Sequence, residues 1–149
     1  MRNTLIKIHA ASATTALILI SIFFISSIVS ELIGDQALII TVKTYIFYAI
    51  WFVIPAMAIA GGTGHKLAPK AKSGVIGKKK SRMPFIAANG ILVLTPAAIY
   101  LKMLAESGSF GTTFYIVQGI ELFAGFTNIS LMSLNLRDGL SISKNKKRN

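Results

Sequence analysis

The chain has 149 residues, a formal net charge of +11 at pH 7 and no cysteine. Apolar residues make up 53% and charged residues only 14%, whereas about 25% of residues are charged in typical soluble proteins. This composition is too apolar for a soluble domain of this length. The lack of cysteine also excludes disulfides, Fe–S clusters, thiolate zinc sites and cysteine nucleophiles.

Four long apolar runs follow one another, at roughly residues 8–30, 37–60, 84–104 and 112–134. Each is long enough to cross a hydrocarbon core, which takes about 20 residues at 1.5 Å per residue. The connections between them are short, so consecutive helices are expected to run antiparallel. The sequence therefore predicts a single all-α domain over residues 1–149, an integral membrane antiparallel four-helix bundle.

The first run follows Arg2 and Lys7, and a basic start before an apolar stretch also occurs in secretory signal peptides. The apolar part of a signal peptide is only about 7–15 residues long and ends at a small-residue cleavage site. This run is longer, and residues 27–30 form a poor cleavage site. We therefore predict an uncleaved first helix. Cleavage would leave three spans with the same orientation.

The sixteen Lys and Arg residues are strongly biased to one side of the predicted bundle. All except Lys43 and Lys102 fall at the N-terminus, in the basic loop 61–83 or in the basic tail 137–149. Because the membrane potential and anionic lipids hold basic residues on the cytoplasmic face, we predict that both termini and the loop are cytoplasmic. This arrangement indicates a multi-pass protein of a bacterial inner membrane, with anionic lipids as partners at that face.

The charge does not indicate a nucleic-acid partner. The run formed by Lys78, Lys79 and Lys80 has no interleaved aromatic residues that could stack on bases. The chain also lacks a P-loop, a dinucleotide fingerprint, a His-Glu-x-x-His motif and a Gly-x-Ser-x-Gly motif. The sequence therefore gives no catalytic residues, and we do not expect the chain to be an enzyme by itself.

Polar residues inside the fourth run recur at spacings of three and four. Such spacing puts them on one helical face, and a polar face inside a membrane is expected to point at protein or water rather than lipid. The residues of this face are Gln118, Glu121, Gly125, Asn128, Met132 and Asn135.

The other runs offer partners for this face. In the second run, Lys43, Met57, Gly61 and His65 lie roughly on one face if Pro55 only kinks the helix. A row of small residues ending at Gly64 allows close approach of a helix or a flat ligand. In the third run, Asn89, Pro96 and Tyr100 share one face.

Glu121 is the carboxylate that lies well inside a predicted span. One hypothesis is a buried ion pair with Lys43 or Lys102 that fixes how the helices pack. The other is a proton or ion site formed by Glu121 with Lys43 and Gln118, since an ionisable residue in a membrane is a functional hypothesis by default. Both remain open from the sequence.

His9 and His65 are predicted at the same depth on neighbouring helices. One hypothesis is that they are the axial ligands of one haem b, since haem iron accepts one or two imidazoles and bundles house cofactors between facing helices. The alternative is that both are interfacial histidines bound to headgroups or water. Two histidines without cysteine or a nearby carboxylate do not favour zinc. The remaining residues predicted around the cofactor are Met132 (an alternative ligand), Gly61, Gly64, Asn89 and Asn128.

The chain resembles small bacterial four-helix inner-membrane proteins that accompany respiratory or metal-uptake systems. In plan it is also similar to four-helix membrane b-type cytochromes. The stretches that carry the resemblance are residues 82–90 (RMPFIAANG) and 131–139 (LMSLNLRDG). The resemblance to the cytochromes implies an electron-transfer protein in which the cofactor supplies the chemistry.

Three functions follow as expectations. The first is a one-haem cytochrome that relays electrons, with Glu121 as a proton or quinol contact. The second is an accessory or assembly subunit of a larger membrane complex. The third is a small transporter or channel subunit that uses Glu121. Such a subunit would form a homo-oligomer.

Overall fold

The computed structural model describes the backbone of residues 1–68 and 73–148, and the side chains up to residue 142. This part of the chain is almost entirely helical and contains no strand. Its helices are α1 (Arg2–Ile33), α2 (Gln36–Leu67), α3 (Gly74–Asn89), a π-helical segment (Gly90–Leu94), α4 (Thr95–Glu106) and α5 (Thr112–Arg148). Since α3, the π-helical segment and α4 are continuous, four long helices form the molecule, as the sequence predicts.

Three of the helices in the described ranges are long and apolar enough to cross a membrane: α1, α2 and the continuous helix Gly74–Glu106. This agrees with a membrane protein. Helix α5 is 37 residues long but is not among the three. The polar face predicted for it lowers the apolar content of its 112–134 stretch, so its crossing of the membrane stays a prediction.

Contacts between side chains define how the helices run. His9 contacts Ala60 at one end of the α1–α2 pair, and Ser27 contacts Lys43 toward the other. In the same way Arg82 reaches Asp138, whereas Asn89 reaches Ala124. Helices α1 and α2 are therefore antiparallel, and so are the third long helix and α5.

The bundle has two chemically different ends. The acidic end holds the α1–α2 turn and the α4–α5 turn, and it includes Glu31, Asp35 and Glu106. The basic end holds the N-terminus, the α2–α3 connection and the C-terminal part of α5. Both names are used below in this sense. The segregation matches the charge bias of the sequence.

The α1–α2 turn is tight because its two residues suit their positions. Gly34 ends α1 with φ 72°, and its N–H donates to the Ser30 carbonyl. Glycine adopts this left-handed conformation without steric cost. Asp35 then caps α2, since its side chain accepts a hydrogen bond from the Ala37 N–H at 3.0 Å.

Helical geometry extends through much of the predicted basic loop 61–83. Helix α2 continues to Leu67 and α3 begins at Gly74, while residues 69–72 lie outside the described part. Lysine is a good helix former, so a lysine-rich segment is readily helical. The predicted tail 137–149 likewise continues α5 as far as Arg148, and residue 149 lies outside the described part.

The π-helical segment corrects one prediction from the sequence. An extra residue in one turn rotates everything after it by about 100°, because an α-helix has 3.6 residues per turn. Asn89 accordingly points to α5, but Pro96 and Tyr100 are exposed. Their predicted shared face with Asn89 is wrong. The residues of α4 that point inward instead are Ala97, Ala98, Leu101 and Ala105.

The core consists of apolar layers separated by buried polar groups. One layer surrounds Ala16 and Ile20, another Leu101 and Phe114, and a third Ile46. Large apolar side chains also cover the outside. Ring side chains with exposed fractions of 55–77% include Trp51, Phe52, Phe85, Phe123 and Phe126. A soluble monomer rarely shows so much exposed apolar surface, whereas lipid accommodates it.

Candidate functional site

The polar face of α5 points into the bundle. Gln118, Glu121 and Asn128 have exposed fractions of 3%, 8% and 0%, and Met132 is 9% exposed. Their spacing of three and four residues is the reason they share this face. Two separate polar clusters form along it, one near the acidic end and one nearer the basic end.

The cluster near the acidic end, which we call the Lys43 cluster, joins three helices. Lys43 of α2 is fully buried, and its Nζ donates to Glu121 Oε2 of α5 at 2.6 Å and to Ser27 Oγ of α1 at 3.0 Å. Gln118 Nε2 donates to the same Glu121 Oε2 at 3.0 Å. Glu121 Oε2 therefore accepts one hydrogen bond from α2 and one from its own helix.

The structure decides between the two ion pairs that the sequence left open. Glu121 pairs with Lys43, whereas Lys102 pairs with Glu106 of its own helix at 2.8 Å. Lys102 Nζ also lies 4.8 Å from the ring centroid of Phe47. The Lys102 pair is partly exposed and contributes little, so the charge buried in the bundle is that of Lys43 and Glu121.

Glu31 belongs to the same end of the bundle. Its side chain is half-buried and interacts electrostatically with Lys43 and Glu121. Glu31 Oε1 and Gln118 Oε1 are buried oxygens that have no hydrogen-bond partner among the described residues. Glu31 is not among the site residues predicted from the sequence. Its position just beyond a span was the available signal.

The second cluster ties the third long helix to α5. Asn89 Nδ2 donates to the Ala124 carbonyl at 2.8 Å and to Asn128 Oδ1 at 2.9 Å. Asn128 Nδ2 donates in turn to the Ile86 carbonyl at 3.3 Å. The two asparagines, which the sequence placed around a cofactor, therefore satisfy each other and the backbone.

A central cavity of about 220 Å³ extends from the Lys43 cluster toward the basic end. On α2 its wall runs from Ile46 to Gly61, a length of about 22 Å at 1.5 Å per residue. The wall is apolar apart from Ser27, Thr95 and Glu121. The cavity is thus a long apolar space with its buried charge at one end.

The irregular parts of two helices form much of this cavity. Gly90, Ile91 and Leu94 of the π-helical segment line it, and π-helical turns occur frequently at functional sites. The Thr95 hydroxyl supports the segment by donating to the Gly90 carbonyl at 2.9 Å. On the opposite wall, Ile54 precedes the Pro55 that interrupts the hydrogen bonding of α2.

Part of the cavity lining lies at the outer surface of the bundle. The lining residues Ala58 of α2 and Ala87 and Ile91 of the third long helix are all exposed. The cavity therefore reaches the surface on the side of these two helices.

The two histidines have different surroundings. His9 Nδ1 donates to the Ala60 carbonyl at 2.9 Å, and the ring lies so close to Gly64 that a Cβ there would be 3.1 Å from His9 Cε1. His65 is exposed beside Lys80 and Met83 in a groove at the basic end. Among the described residues that line the central cavity there is no histidine.

The other residues predicted around a cofactor are dispersed. Gly61 lines the central cavity, whereas Gly64 accommodates His9. Met132 packs in the apolar layer with Ala16 and Val53. Within the described ranges, no group of three or more His, Cys, Asp or Glu side chains is placed to hold a metal ion. Haem ligation by His9 and His65 stays a prediction.

The basic end is held together by a surface ion pair. Arg82 Nη1 donates to Asp138 Oδ2 at 2.7 Å and to Asn135 Oδ1 at 3.1 Å. The hydrogen bond from Arg82 lowers the pKa of Asp138. The stretches 82–90 and 131–139, which carry the resemblance, thus contact each other through Arg82, Asn135 and Asp138.

Comparison of the chain with protein-family models, with characterised proteins and with solved structures finds no match. The site must therefore be interpreted from its own geometry.

Proposed function

We propose that the chain is a membrane-embedded binding protein for a neutral, elongated lipid with a hydroxyl-bearing head, of the quinol class. The observation that carries the proposal is the central cavity, which is apolar along its length and ends at Glu121 and Ser27. Ligand sites in proteins are typically apolar clefts with a few polar groups that fix orientation.

The charge at the polar end selects the head group. Glu121 lines that end of the cavity whereas its partner Lys43 does not, so an anionic head such as a fatty-acid carboxylate would meet the carboxyl group of Glu121 rather than the lysine. A neutral hydroxyl can donate a hydrogen bond to the carboxylate. Phe23 and Phe24 line the wall beside Ser27, and their rings offer apolar faces on which the flat ring of a quinol could stack.

The size and shape of the cavity also favour this class. An apolar cavity of about 150 Å³ is large enough to bind benzene, and the cavity here is about 220 Å³. It accommodates a substituted six-membered ring and the first part of a chain. The rest of the chain would leave between Ala58 and Ile91 into the lipid.

The test is binding of decylubiquinol to the protein in nanodiscs, measured by equilibrium dialysis under reducing conditions. Gly61 and Gly62 are neighbours at which an added Cβ would meet no atom within 4 Å, but of the two only Gly61 lines the cavity. We expect Gly61→Phe to weaken binding at least about tenfold, or about 1.4 kcal/mol. Gly62→Phe is the matched control and should bind as the unmodified protein does.

Two outcomes would contradict the proposal. If both phenylalanine variants bind decylubiquinol equally well, the ligand lies outside the central cavity. If the protein binds oleate in preference to decylubiquinol, the assignment of a neutral head is wrong.

The electron-transfer function predicted from the sequence has a separate test. The geometry of His9 supports this function. Nδ1 of His9 donates a hydrogen bond to the Ala60 carbonyl, so Nε2 is the ring nitrogen that could bind the haem iron. A one-haem cytochrome should show a Soret band and sharp reduced α and β bands, lost in His9→Ala or His65→Ala. A colourless, folded protein produced with sufficient haem would contradict haem binding and leave the quinol site unaffected.

A further inference from the structure

The formal charges of the buried Lys43 cluster and of half-buried Glu31 do not cancel. Glu31 and Glu121 contribute two negative charges when ionised, and Lys43 contributes one positive charge. Removing a carboxylate from water without a partner is costly, and in practice such a group takes up a proton instead. The net charge of −1 would therefore favour one bound proton.

The hydrogen bonds indicate which carboxylate holds that proton. Glu121 Oε2 receives hydrogen bonds from both Lys43 and Gln118, which stabilise its ionised form. Glu31 Oε1 is buried and receives none among the described residues. A negative charge is therefore less favourable on Glu31 than on Glu121.

A second observation comes from Gln118, which is 97% buried, being 3% exposed. Its Nε2 is held on Glu121, so the amide is fixed inside the cluster. Its Oε1 is an acceptor without a donor among the described residues. A protonated Glu31 would bring an O–H hydrogen-bond donor to this end of the bundle. An ionised Glu31 brings only further acceptor oxygens.

We propose that Glu31 is a proton-binding site at the acidic end of the bundle, which exchanges its proton with the water outside the Lys43 cluster. Glu31 is half-buried, whereas Glu121 and Lys43 are buried, so Glu31 is the carboxylate of the two that water can reach. The charged groups that act on it are Lys43 of α2 and Glu121 of α5. The proposal does not depend on quinol binding.

The experiment is infrared difference spectroscopy of the ligand-free protein during a pH titration. A protonated carboxyl has a C=O stretching band that disappears on ionisation. We expect such a band to persist to a higher pH than that of a fully exposed glutamate, and we expect Glu31→Gln to remove it. Glu106→Gln is the matched control, since Glu106 is an exposed carboxylate paired with Lys102 at the same end; it should leave the band unchanged.

A second variant tests the electrostatic origin of the bound proton. Glu121→Gln removes one negative charge and frees Lys43 to stabilise ionised Glu31. The pH midpoint at which the band is lost should then fall by about 1–3 units, the usual effect of a nearby charge. Circular dichroism confirms that each variant is folded. A band that survives Glu31→Gln, or a midpoint that Glu121→Gln leaves unchanged, would overturn the proposal.

Discussion

Replacing Lys43 by methionine is expected to lower the free energy of unfolding by about 3–5 kcal/mol, the usual cost of removing one partner from a buried ion pair. Lys43 is fully buried and bonds to both Glu121 and Ser27. Without it, Glu121 is a buried carboxylate whose described hydrogen-bond donor is Gln118 alone. Unfolding in mixed detergent micelles, followed by circular dichroism, measures the change.

The double variant Lys43→Met/Glu121→Met separates the charge from the packing. Replacing both members of a buried pair by apolar residues is often neutral or stabilising, so the double variant should recover most of the loss. Lys102→Met is the control, because the exposed Lys102–Glu106 pair is worth about 0–1 kcal/mol. Equal instability of the single and double Lys43 variants would show that shape, rather than charge, makes Lys43 important.

Replacing Asn128 by leucine is expected to cost about 1–3 kcal/mol of stability, the penalty for leaving a buried polar group without a partner. Asn128 is fully buried and accepts a hydrogen bond from Asn89 Nδ2. Leucine is close to asparagine in shape but cannot accept that bond. The same unfolding measurement applies.

Thr127→Val is the comparison for Asn128→Leu, since the Thr127 hydroxyl bonds to the Phe123 carbonyl of its own helix. It should change stability by less than about 0.5 kcal/mol, as surface substitutions usually do. If Asn128→Leu is as stable as Thr127→Val, the Asn89–Asn128 contact contributes nothing net. A double variant Asn89→Leu/Asn128→Leu should then also show no loss.

The helical plan could be predicted from the sequence because length and hydrophobic periodicity determine it. The four apolar runs correspond to four long helices, and the polar face of α5 points inward as its spacing predicts. A period of 3.6 residues specifies which side chains share a face. It does not specify which neighbouring helix that face meets.

That limit explains why the choice between Lys43 and Lys102 stayed open. The sequence offers both lysines as partners of Glu121, and which one pairs with it depends on how the helices are rotated. Ser27 receives a hydrogen bond from Lys43 and is not among the predicted site residues for the same reason. The cavity could not be predicted either, because its lining combines residues of all four long helices, whose relative rotation the hydrophobic period does not specify.

The histidines illustrate the same limit in another form. Their equal depth on adjacent helices stays a prediction, and depth does not fix direction around a helix axis. His9 turns toward Ala60 and Gly64, whereas His65 lies exposed in the groove with Met83. Positions 64 and 65 are about 100° apart on an α-helix.

The π-helical segment has a consequence for how length changes in this chain should be understood. A residue deleted from the stretch Gly90–Leu94 would restore the ordinary α-helical phase of the third long helix. Tyr100, now 44% exposed, and Pro96 would then both rotate toward the side of the helix on which Asn89 lies. A one-residue deletion here would therefore rotate α4 by about 100° relative to α3, which changes its packing far more than the small loss of length does.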